Sequence, residues 1–494
     1  MKRILYIFVA FAVSGTVLTS CKKDYLNTSP TEAIEDGALF TDAKGGWAAL
    51  NGIHRAMYSA YDNQDQTGQG TVMIDADMLG DDLVMTAAGN GWFNSTYQWT
   101  MHRNTSAAHL KFVYYFYYRI IANANKIIEH IDQASGSDAD KNAIKGEALA
   151  YRGWAHFQLV QLFGSRYDAT KKPNSQDGVP LLTKFTIEPQ PRASVEDVYA
   201  QVNKDLDASL VSLAGYKRAG KSHFDSLVVF GLKARVALTM QDWSNAAKYA
   251  VKARTTNTYG LMTNTDYVKG FNSVENREWL WGSYQTDDQT TAFNGFFAYM
   301  SINFSSTNIR SNPKAINKLL YARLTATDVR SQLWDPTGKN FTVPAPSFKK
   351  FPYMNQKFVA KGASSSVGDV PYMRIAEMYL IEAEAQAQLG QDGLAADALF
   401  AVANNRDPKY TRTTNTGQAL KDEIAIQRRL EFWGEGFRFF DLKRQNLPLD
   451  RTNSNHDAVL ALQLMKMPAG DNQWQWLFPQ DEINANPKLV QNPL

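Results

Sequence analysis

The sequence predicts a mainly α-helical fold in which paired, TPR-like helices build the core and an irregular, loop-rich lobe interrupts them. Three observations carry that expectation. Apolar residues recur at three- and four-residue steps in several long stretches. No comparable run of alternating apolar and polar residues points to a large sheet. Two segments, about 62–106 and 255–370, are instead rich in Gly, Asp, Asn, Ser and Thr, and carry many aromatic rings.

The N-terminus reads as an export and anchoring signal. Lys2 and Arg3 precede an apolar run, Ile4 to Val13, that is too short for the ~20 residues of a membrane span. Leu18-Thr19-Ser20-Cys21 then follows, an arrangement that resembles the bacterial lipobox, and Cys21 is the single cysteine among 494 residues. Residues 1–20 are therefore expected to be a signal peptide, Cys21 the lipidated first residue, and 21–36 a polar, extended leader. A lipid on that sulfur leaves no disulfide, and a chain of this length can bury an adequate core without one.

The body, 37–494, is expected to be a single domain with the two irregular segments inserted in it. Ala148, Tyr151, Ala155, Leu159 and Leu162 mark one helix face between Lys145 and Phe163, and the same spacing returns in Val195–Leu213, Phe224–Met240 and Tyr372–Leu389. Two of these helices lead through short polar turns, Gln241-Asp242 and Gly390-Gln391, into alanine-bearing stretches (Ala246, Ala247 and Ala250; Ala395 and Ala398). Helix, turn and a second helix with small residues at the crossing is the logic of a TPR pair.

Charge and motifs exclude several functions. The 52 basic and 49 acidic residues nearly balance and form no basic domain, so no nucleic-acid partner is expected. Gly215 to Ser222 matches G-x-x-x-x-G-K-[ST], yet an amphipathic helix rather than a strand precedes it, so it reads as an inter-helix loop whose Ser222 caps the next helix. Asp75, Asp77, Gly80 and Asp81 lack the ligand pattern of a calcium loop and read as a solvated acidic turn. The seven histidines have no zinc-ligand spacing and no G-x-S-x-G elbow occurs. No metal, cofactor or catalytic residue is assigned.

A family resemblance rests on three C-terminal segments: Arg374 to Ala385 (RIAEMYLIEAEA), Arg428 to Arg444 (RRLEFWGEGFRFFDLKR), and Phe478 to Pro487 with Gln491-Asn492-Pro493. These resemble the SusD/RagB family of outer-membrane lipoproteins, as do Gly146 to Gly164 and Lys221 to Trp243 upstream. Gln427 departs from the Glu more common there. The resemblance implies a surface-exposed protein that caps a SusC-like TonB-dependent transporter and captures glycans or, in some members, peptides. Peptide or other nutrient binding, a structural lid without affinity, and a surface glycosidase are the alternatives.

Flat C–H faces of sugars stack on aromatic rings and their hydroxyls need polar partners. Rings outside any helical period are expected to form an exposed platform: Trp92, Phe93, Tyr97, Trp99, Trp279, Trp281 and Tyr284, with Asn90, Asn94, Asp81 and Arg103 beside them. Arg429, Glu431, Glu435, Arg438 and Asp441 are expected to form a structural polar network.

Overall fold

The computed structural model describes residues 39–256, 258–288, 290 and 293–494. The expected signal peptide, leader and Cys21 lie outside the described residues.

Helices dominate. α1 (Ala43–Ala56) is capped by Asp42, whose side chain accepts from Gly45 N–H, and is followed by α2 (Gln69–Met78), α3 (Ala108–His130) and α4 (Asp138–Phe163). α5 (Val195–Ser212), α6 (Ser226–Thr239) and α7 (Trp243–Arg254) follow, each opened by a Ser or Asp side-chain cap. After the irregular segment come α8 (Ile375–Gln388), α9 (Asp392–Arg406), α10 (Gly417–Glu431) and the short α11 (Arg438–Arg444). From α3 to α9 each helix packs on the next in this order, so the pairs α6–α7 and α8–α9 stack through α7 against α8. Ala246, Ala250 and Ala253 are buried in α7, and small side chains at these positions let the axes approach.

Strands are few and short. Leu83–Val84, Ala315–Ile316, Met354–Asn355 and Trp334–Asp335 form a small antiparallel sheet, while β1 (Trp279–Gly282) pairs antiparallel with β2 (Pro371–Arg374) against α6. The 255–370 segment is otherwise turns and single helical turns.

Two expectations for the lobe are corrected here. Segment 62–106 is not wholly irregular, because it contains α2, whose ten residues are all buried; with no polar face, it has no amphipathic period to read. Nor do Asp75 and Asp77 form a solvated turn. They sit in α2, where Asp75 bonds His109 at 2.8 Å and Asp77 accepts the Gly436 N–H at 2.7 Å. Burial pushes the Asp77 carboxyl up to about 8. Gly436 (φ +83°) is required at this contact, since a Cβ there would lie 2.6 Å from the Met73 Cα.

The polar network is present and buried. Arg374 bridges Glu278, Glu431 (2.9 Å) and Glu435 (2.7 Å); Arg406 bridges Glu278 (2.8 Å) and Glu431 (2.9 Å); Lys357 meets Glu435 at 2.6 Å. Arg429 and Arg438 tie α10 and α11 to Asp82 and Asp81, and Asp441 is held between Arg428 and Arg444. The Arg428 and Arg444 guanidiniums outweigh burial and hold the Asp441 carboxyl down at about 2.

Candidate functional site: a cleft below an exposed tyrosine

The site is built where β1 runs out of the sheet. Trp281 is buried, edge-on to Trp154 (5.4 Å) and packed on Phe224 (4.8 Å) and Tyr372 (4.9 Å). Past Gly282 the chain stays pinned, because Ser283 N–H donates to Val370 O (3.0 Å) and Gln285 N–H to the Asp369 carboxylate (2.8 Å). Alternation then turns Tyr284 outward, and it is 56% exposed. An exposed ring on a fixed backbone loses little freedom on binding.

Beneath Tyr284 lies a cleft of about 430 Å³. Its walls include Asn51, Arg55 and Tyr58 from the end of α1, and its floor Tyr151, His54 and His223. Burial and nearby Asp288 push the Tyr58 hydroxyl up, with Arg55 opposing. Two other surface hollows, about 520 and 760 Å³, border Trp474 and Trp99, but both rings are buried. Of these three hollows among the described residues, the cleft is the one with an exposed ring, Tyr284, in its lining.

Beside the two floor imidazoles, and not itself lining the cleft, is a fully buried carboxylate, Glu147 of α4. It accepts from His223 Nδ1 and Phe224 N–H, each at 3.0 Å. Burial pushes Glu147 up, yet the two imidazoles beside it outweigh that and leave it below the usual carboxylate value. Burial lowers His54.

The expected platform does not survive intact. Phe93, Tyr97, Trp99, Trp279 and Trp281 are core residues, each at most 3% exposed. Their segments lack a helical period, but they are turns and a strand covered on both faces, where period carries no information about exposure. Trp99 donates its indole N–H to Leu79 O at 3.1 Å, and Tyr97 bonds His456. The polar partners are also partly diverted: Asp81 is buried in its pair with Arg438, and Arg103 donates to Asn472 O, Gln475 O and Pro493 O. Tyr284 and Asn90 are exposed, and Trp92 and Asn94 half-buried.

Asn90 and Trp92 sit on a loop carrying Gly89 (φ +56°) and Gly91 (φ +96°). Next to Trp92, Phe93 packs on Tyr299 at 4.9 Å, just after the loop that presents Phe293, a ring 46% exposed. Phe293 and Tyr58 were absent from the expected platform. Phe293 has a positive φ (+71°) and Tyr58 ends a helix, and neither feature marks a ring as exposed in the sequence.

The P-loop match is resolved by geometry. Helix α5 precedes it, Asp225 rather than Ser222 caps α6, and Lys221 donates to Asn276 O at 2.7 Å. The correction at Ser222 follows from distance along the chain: the cap accepts from Val228 N–H, three residues beyond Asp225.

Residues 239–494 match the SusD family, and 51–238 match a SusD-like family described as starch-binding and associating with the outer membrane. A SusD-like protein of Formosa agariphila is 22% identical over 76% of this chain and 78% of its own length. The crystal structure of a SusD-like carbohydrate binding protein from Bacteroides vulgatus superposes with a TM-score of 0.81 at 26% identity, covering 91% of this chain and 98% of the other. A SusD superfamily protein from Bacteroides thetaiotaomicron gives 0.77 at 25% identity, covering 92% and 100%. With more than half its length matched and the same helical core, the chain belongs to the SusD family.

Proposed function

We propose that the chain is a cell-surface nutrient-binding protein, held to the outer membrane by lipid on Cys21. It captures oligosaccharides on the aromatic rim of the cleft and passes them to a SusC-like TonB-dependent transporter, without cleaving them. The observation that carries the reading is Tyr284, an exposed ring with a fixed backbone at the mouth of a hollow of sugar-ring dimensions. Tyr58 and Arg55, which also line the cleft, supply a second ring and hydrogen-bond donors, and Trp92, Asn90 and Phe293 are further accessible candidates on loops outside its lining. The carbohydrate binding named for the Bacteroides vulgatus relative supports the ligand class. A glycosidase needs two carboxyl groups facing each other across the cleft, whereas the described residues that line it include no Asp or Glu, and the buried Glu147 behind them is taken up by two imidazoles.

A glycan array identifies the ligand, and calorimetry with Tyr284→Ala and Trp92→Ala then tests the surface. Loss of a binding anchor costs about 2 kcal/mol, roughly thirtyfold in affinity. The melting temperature of Tyr284→Ala should stay unchanged. Unaltered affinity in both variants would move the site elsewhere, and binding to a peptide library but no glycan would favour the peptide alternative. Intact mass of the purified chain tests the anchor, and co-purification with an outer-membrane transporter tests the partnership.

A further inference from the structure

At the floor of the cleft and just behind it three side chains converge from separate elements: His54 from α1 and His223 from the loop before α6, which line the cleft, and the buried Glu147 from α4. Their ligand atoms all lie within 4.8 Å of one another. His223 Nδ1 stands 3.0 Å from one oxygen of Glu147, and His54 Nε2 3.5 Å from the other. A tetrahedral ion with bonds of ~2.0–2.1 Å sets its ligands ~3.3 Å apart, so each imidazole already stands near that spacing from its own oxygen of Glu147, and a closing motion from within 4.8 Å brings the three residues onto one ion.

Two further features set this cluster apart from an ordinary buried ion pair. The Nε2 of His54 is buried and makes no hydrogen bond of good geometry, its nearest acceptor being the Glu147 carboxylate at the long distance of 3.5 Å. A buried polar nitrogen left without a partner is costly, and an unfilled ligand is one reason to find it. Glu147 is also a fully buried carboxylate with neither Arg nor Lys among its partners, unlike Glu278, Glu431 and Glu435 of the core network.

The surroundings hold the set in place. Phe224 N–H fixes one oxygen of Glu147, and Arg218 donates to the His223 carbonyl at 2.8 Å while pairing with Asp225. The His54 and His223 rings meet edge to face at 4.3 Å. Hydrogen bonds of this kind to the groups that carry the ligand atoms keep their orientation from relaxing.

We propose that His54, Glu147 and His223 form a binding site for a divalent transition-metal ion, zinc by preference. Two imidazoles and one carboxylate suit zinc, and three protein ligands leave a fourth position open. A water molecule or another oxygen ligand completes the shell at that position. The site also clamps α1 to α4 and to the α6 loop. It does not depend on the glycan reading, because metal affinity is measured without any sugar.

The test uses the full chain purified in detergent and stripped with a chelator. Competition against a chromophoric chelator should give one tight equivalent of Zn²⁺, and Co²⁺ should produce the visible absorption of a four- or five-coordinate site. His54→Gln and His223→Gln should each weaken Zn²⁺ by at least ~100-fold, since even outer-shell changes cost 10–100-fold. His130→Gln, at an exposed histidine, should leave it unchanged. The Co²⁺ spectrum is read on the unaltered chain, so it holds even if a variant fails to fold. Absence of both the Co²⁺ band and chelator competition overturns the proposal. So does Zn²⁺ binding that both ligand variants retain.

Discussion

Arg374 illustrates what single residues do in this fold. It is 1% exposed, spans three carboxylates, and is over the Phe271 and Phe432 rings at 5.3 and 5.0 Å. Taking such charges out of water is expensive, and only complete pairing repays the cost. Arg374→Ala would leave Glu278, Glu431 and Glu435 short of a partner in a dry site. It should lose ~3–5 kcal/mol, read as a large fall in the melting temperature. A shift of a degree or two would mean that water reaches the network. Trp281 belongs to the same class of residue, since removing its ring opens a cavity among Trp154, Phe224 and Tyr372 rather than baring a binding surface.

Among elements, the helix pairs depend on small residues where axes cross. Ala250 is fully buried in α7, which packs on both α6 and α8. Ala250→Leu forces three extra carbons into that crossing and should cost ~1–3 kcal/mol, measured by denaturant unfolding. A neutral result would place the crossing elsewhere. This pairing was legible in the sequence because Ala246 and Ala250 recur at helical spacing after a polar turn. α2 was not legible, because burial on every side erases the period that marks a helix. The same effect hid Trp279 and Trp281: β1 is covered on both faces, so its composition resembles that of the loops around it. The charged run 428–444 gave its role away earlier, as acids and bases at helical spacing in an apolar setting must find each other.

For the whole molecule, buried histidines couple stability to pH. His156 accepts from Leu182 N–H and donates to Arg152 O, so its bonds require the neutral ring. His102 donates to Gln473 O and its Nδ1 has no partner, and His456 lies between Tyr97 and Asp81 O. Burial lowers all three to about 3. Their folded values lie below the unfolded value of ~6.5, so their contribution is complete above that pH and lost as pH falls toward 3. Asp77 acts in the opposite direction: raised to about 8, it contributes fully below the ordinary carboxylate range and loses that contribution as pH rises through 8. His102→Gln isolates one term. Its stability deficit relative to the unaltered chain should shrink by ~1.4 kcal/mol per pH unit below 6.5, measured by urea unfolding between pH 5 and 7.5. A deficit constant across that range would mean that the fold leaves the titration of His102 as it is in the unfolded chain.

The two regions matched separately by the SusD families meet at residues 238 and 239, inside α6. The pairs Arg429–Asp82, Arg438–Asp81 and Arg235–Glu377 all cross that border. So do the bonds from Lys443 to the carbonyls of Gln161 and Gly164 at the end of α4. Severing the chain there would strand buried cations on one side and their acceptors on the other. The boundary thus divides two sequence matches and not two mechanical units, and neither half makes a self-sufficient unit for swapping between relatives. A chimera that exchanges one half must carry over the acids that the other half's arginines require.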